Sequence, residues 1–127
     1  MHLCYFDENK HTPENPNFFI GGLLIPDKKA LDFENTLSQI AFNFFGSSTL
    51  NIHNELHGKY LFHGKDNAKG RKLEERVLVF QQVATFISDN TIPVRMVCIN
   101  VERHLQKYKY PTPPYRLGLM LILERFC

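Results

Sequence analysis

The chain has 127 residues, of which 43% are hydrophobic and 22% charged. That is the balance of one ordinary globular domain and argues against disorder over most of the chain. A net charge of +2 is too small to mark a nucleic-acid binder by itself, so any basic surface has to be local.

The three cysteines, Cys4, Cys98 and Cys127, are odd in number, far apart and without a C-x-x-C pair. This argues against a disulfide framework or a cysteine-based zinc site. Cys4 and Cys98 sit in apolar runs and are expected to be small buried hydrophobes. The N-terminus lacks a basic region followed by a long apolar run, and no run reaches the length of a membrane span. A reduced, cytoplasmic protein with no membrane partner is expected.

Leu3 to Asp7 reads as a short buried strand ending in two acids, Asp7 and Glu8. His11 to Asn17 is a turn by its Pro and Asn content. Phe18 to Ile25 is a second strand, apolar on both faces, and Gly21-Gly22 in its middle suggests a bulge or a close backbone approach. The two strands are expected to pair antiparallel. Pro26-Asp27 opens a helix with Asp27 as its N-cap, and Ala30, Phe33, Leu37, Ile40, Ala41 and Phe44 recur at helical spacing before a stop at Gly46.

Ser47 to Gly64 has no clear period. A second helix follows over Lys72 to Ser88, with an expected apolar stripe of Leu73, Val77, Phe80, Ala84 and Ile87. Ile92 to Val101 is a strand, apolar on both faces in its far half, as in the centre of a sheet. His104 to Tyr115 is a connector rich in Tyr, Lys and Pro. From Tyr115 the pattern is helical again and apolar nearly all round (Leu117, Leu119, Met120, Leu121, Ile122, Leu123). Such a helix needs cover, either from a partner copy or from a continuation of the domain beyond Cys127. The fold class is α/β with a mixed sheet: an early antiparallel pair, helices, and a central strand over Ile92 to Val101.

Three groups of residues carry candidate chemistry. Asp7 and Glu8 close the first strand, and an acid at the end of a buried central strand is costly unless paired or bound to metal. The same pair also suits a strand end in solvent. Alternation sends the two side chains to opposite faces, and Asp7 is taken as the one facing a site. Glu55 and His57 form a Glu-x-His element that presents both side chains on one face if extended; an ordinary polar loop is the other reading. His53, His57 and His63 match no compact zinc spacing and read as independent histidines. Among the cations, Lys65, Lys69, Arg71 and Lys72 precede the second helix, where they oppose its dipole and would suit a phosphate. Lys107 and Lys109 lie in the connector among tyrosines, a mix suited to single-stranded nucleic acid through backbone neutralisation and base stacking. Both runs also suit plain solvated surface.

The runs Tyr5-Phe6-Asp7-Glu8, Phe19-Ile20-Gly21-Gly22-Leu23-Leu24-Ile25-Pro26, Glu55-Leu56-His57-Gly58 and Phe62-His63-Gly64 together resemble domain-of-unknown-function family 3800. Glu124-Arg125 in the last helix also fits its pattern. Asn9-Lys10 stands where that family has Ser-Gly after the acids. The family's late Leu-Gln-x-Ala-Asp-like helix is not in this chain, so the resemblance covers the first half of a typical member. The resemblance implies a ribonuclease H-like domain, a metal-dependent nuclease acting on DNA or RNA phosphodiesters, and a setting in defence against phage or mobile elements. It implies Asp7 and Glu55 as ligands of Mg²⁺ or Mn²⁺, with His57 assisting catalysis. A rival expectation is a non-catalytic interaction module, or an inactive truncated relative, that binds a protein partner through the apolar C-terminal helix.

Overall fold

A computed structural model describes residues 1–47, 49, 51 and 53–126. The chain forms two compact units. The first joins Met1–Asp27 to the chain from Ile92 onward; the second is Lys28–Thr91. Cys127 lies outside the described residues.

In the first unit, β1 (His2–Asn9), β2 (Asn17–Pro26) and β3 (Val94–Asn100) form one antiparallel sheet in the order β1-β2-β3. The protein is therefore mixed α/β, with β1 and β2 paired as expected. The expectation of a mixed sheet with a central third strand is corrected: β3 runs antiparallel to β2 and lies at the edge, and β2 is central. An apolar run does not record how many strands flank it.

The register of β2 is unbroken through Gly21 and Gly22, so there is no bulge. Gly22 accommodates close side chains: a Cβ there would come within 2.7 Å of the Phe6 ring and 3.1 Å of Phe126.

The chain passes from β3 into α4 (Val101–Lys107) without a loop. Asn100 permits this by capping the new helix, its Oδ1 accepting from Arg103 N at 3.0 Å. This short helix falls where the sequence suggested the strand's last residue and the start of a connector. Helix α5 (Pro114–Phe126) then lies on the sheet. Its contact face is built around Gly118, where a Cβ would come within 2.9 Å of Ile20, 3.2 Å of Phe18 and 3.7 Å of Ile99.

Ile122 on the same face is fully buried. The helix expected to need an outside partner thus finds cover on one face from its own sheet. Tyr115, Met120 and Leu123 stay exposed. The core of this unit is Phe18, Ile20, Ile99 and Val101, with Phe6, Val97, Leu117 and Leu119 packed against it.

The second unit is helical. α1 (Asp27–Phe45) begins at the last residue of the first unit and ends where Gly46 adopts φ +78°, a conformation that favours glycine, as the sequence indicated. α2 (Gly58–His63) and a 3₁₀ turn (Asp66–Ala68) lead to α3 (Leu73–Asp89). Ile40, Phe44, Leu61, Ala68 and Val79 form the core. The stripe expected on α3 is the wrong one: Leu73, Val77 and Phe80 are exposed, whereas Val79 is buried and Val83 packs beside it. Apolar residues occupy so much of this helix that spacing alone selects no single face.

Candidate functional site

Alternation and register assign the sheet's residues to two faces. Phe18, Ile20 and Gly22 of β2 lie on the face toward α5, together with their cross-strand neighbours Phe6, Glu8, Arg95, Val97 and Ile99. Asp7 is on the other face, opposite Gly21, which in turn is opposite Met96. The expected separation of Asp7 from Glu8 is therefore present.

The premise that Asp7 is buried is corrected. Its strand is an edge strand, and the carboxylate is exposed. No charged side chain is buried among the described residues, so desolvation does not demand a partner for this acid. Its Oδ1 accepts from the neighbouring Glu8 N at 2.9 Å. Beside it Gly21 leaves open space, a Cβ there meeting only Arg95 O at 3.8 Å.

Around this pair the face is apolar and open: Tyr5 is 51% exposed, Val94 49% and Met96 70%. Cys98 shares the face and is exposed, and so is Cys4. Neither is the buried hydrophobe expected, because α5 covers only the opposite face and does not shelter Cys4 at the sheet's edge.

In the second unit, Glu55 is exposed, and its carbonyl oxygen accepts from Asn67 Nδ2 at 2.8 Å. Leu56 turns into the core. His57 directly precedes α2, and its carbonyl accepts from Leu61 N at 3.0 Å. Its ring stacks on Tyr60 with centroids 4.2 Å apart and planes 22° apart. Its Nδ1 is buried with no hydrogen-bond partner in the protein.

The four cations before α3 have diverse surroundings. Lys65 and Lys69 flank the 3₁₀ turn and are exposed. Arg71 lies over the Phe44 ring at 5.1 Å. Lys72 is the N-cap residue of α3, and its backbone N–H donates to Glu75 at 2.9 Å. The acid at the third helical position thus satisfies a helix end that the lysine side chain opposes.

Two features were not legible in the sequence. Arg76 of α3 donates from one terminal nitrogen to the carbonyls of Leu61 and Phe62, at 2.8 and 3.0 Å, satisfying the open end of α2. Gly64 makes room for it, since a Cβ there would lie 3.0 Å from the guanidinium. An open groove of about 820 Å³ is lined by residues that include Gln39, Asn43, Leu78, Gln82 and Phe86.

Among the described residues, no three His, Cys, Asp or Glu side chains are grouped to hold a metal ion. No helix among them is long and apolar enough to cross a membrane. Comparison with protein-family models, curated proteins and solved structures finds no match.

Proposed function

We propose that the chain is a ribonuclease H-like, metal-dependent nuclease that cleaves DNA or RNA phosphodiesters, in keeping with a setting in defence against phage or mobile elements. The observation that carries this reading is Asp7: a carboxylate on the open face of the sheet, beside a glycine that leaves room for a ligand, with no ion pair among the described residues. Its oxygen donors suit a hard divalent cation, Mg²⁺ or Mn²⁺.

The reading assigns metal ligation to Asp7 and Glu55. A bound cation would supply a water acidified enough to attack phosphorus and charge to stabilise the leaving oxygen. His57 is assigned proton transfer or a phosphate contact. The exposed Lys65, Lys69, Lys107 and Lys109 would neutralise backbone phosphates.

Mn²⁺ titration calorimetry on the wild type and on Asp7→Asn and Glu55→Gln tests the assignment, followed by cleavage of labelled DNA and RNA. Binding and cleavage that weaken in both variants support it. A wild type that binds no Mn²⁺, or binding indifferent to Asp7→Asn, removes it.

A second reading, a non-catalytic module that binds a protein partner through α5, is supported by Met120 and Leu123, 49% and 41% exposed on that helix. Concentration-dependent self-association lost in Met120→Lys would favour it in its simplest form, a pair of identical chains.

A further inference from the structure

The segment between α4 and α5 lies within the longest acid-free stretch of the chain. No acid occurs between Glu102 and Glu124, whereas Arg103, Lys107, Lys109 and Arg116 all lie there. Within it, Tyr110 is 84% exposed and Tyr108 49%. Two large rings held in water offer flat apolar faces to a ligand.

The segment is also braced. Its prolines, Pro111, Pro113 and Pro114, fix backbone dihedrals. His104 Nε2 lies 2.7 Å from the carbonyl oxygen of Thr112, closing the segment back onto α4. The same His104 ring packs on Tyr108 at 5.3 Å. At its far end Tyr115 is anchored edge-on against Phe18, 6.4 Å between centroids. The lysine ammonium groups lie over the neighbouring rings, Lys107 at 5.5 Å from Tyr108 and Lys109 at 5.4 Å from Tyr110. Rings and cations are thus presented together on a frame that loses little entropy on binding.

We propose that this loop is a binding site for single-stranded nucleic acid, with Tyr110 stacking on a base and Lys107 and Lys109 neutralising the adjoining phosphates. The inference rests on the nuclease reading for its place in the protein's function and deepens it by naming the substrate class. A stacking ring needs an unpaired base face, and a duplex offers such faces only at its ends or where a base is extruded. Single strands offer one at every nucleotide, and the cations beside the ring meet the backbone that accompanies it.

The test is fluorescence anisotropy with labelled oligo-dT and oligo-U of about 15 nucleotides, against a blunt duplex of equal length. The full chain is used in EDTA, so that no metal site is engaged. Single strands are expected to bind more tightly than the duplex. Tyr110→Ala should weaken that binding by about five-fold or more, while Tyr110→Phe retains it. Lys109→Gln should lower the slope of log affinity against log salt by about 0.7 for one lost phosphate contact.

Tyr110 is so exposed that its replacement does not threaten folding. Equal affinity for duplex and single strand, or a Tyr110→Ala variant that binds as the wild type does, overturns the proposal. An acidic protein partner at this loop would give the same two results. Strand binding in EDTA that persists while Asp7→Asn leaves Mn²⁺ binding unchanged would sink the nuclease reading and leave the strand site standing.

Discussion

The two faces of the sheet are made of similar residues and are covered to different extents around their centres. On one, Phe18, Ile20 and Ile99 are almost wholly removed from water beneath Gly118 and Ile122 of α5. On the other, Tyr5, Val94 and Met96 remain about half exposed or more, while Ile25 near the end of β2 is fully buried. Hydrophobicity does not separate them. What separates them is whether a helix can approach, and Gly118 and Gly22 let α5 and its Phe126 come close on one side. The open side is left to carry the carboxylate of Asp7, where hydration or a ligand is available to it.

The comparison can be tested from its strongest consequence downward. Ile122→Ala, at a fully buried position on the covered face, should cost about 2–4 kcal/mol in denaturant unfolding. Gly118→Val forces a side chain against Ile20 and Phe18 and should cost about 1–3 kcal/mol. Either variant proving neutral would mean that α5 is not seated as described.

Gly21→Ala on the open face has room for its methyl group. It should be neutral or stabilising by up to about 1 kcal/mol, through the loss of glycine's unfolded-state entropy. Met96→Thr on that face should change stability by no more than about 0.5 kcal/mol; a large loss would show that something covers it. Asp7→Asn should leave the thermal midpoint where it was while weakening Mn²⁺ binding, since the acid is exposed and makes no ion pair among the described residues. A drop in the midpoint would recast Asp7 as a structural residue.

In the second unit the reading from sequence was correct on the stop of α1 at Gly46 and misjudged the inner face of α3. Gly46 stops its helix for a local reason, a left-handed backbone conformation, and local reasons are legible. The burial of Val79 in place of Phe80 depends on Ile40, Phe44 and Leu61, which are distant in sequence. Arg76 was equally hidden, because its partners are carbonyls of another helix. At the candidate site, alternation was enough to part Asp7 from Glu8. The exposure of Asp7 was not legible, because it follows from the edge position of β1.

The sequence by itself determined where the three strands and helices α1, α3 and α5 lie, that β1 and β2 pair antiparallel, and that cations and tyrosines gather before the last helix. Period, turn residues and composition act within a few residues of one another, so they are written along the chain. Only the tertiary structure decided that β2 and not β3 is central, that α5 is covered on one side by its own sheet, and that Asp7 and both described cysteines meet solvent. Those outcomes depend on which surfaces come together, and burial belongs to pairs of surfaces, whereas apolar character belongs to single residues.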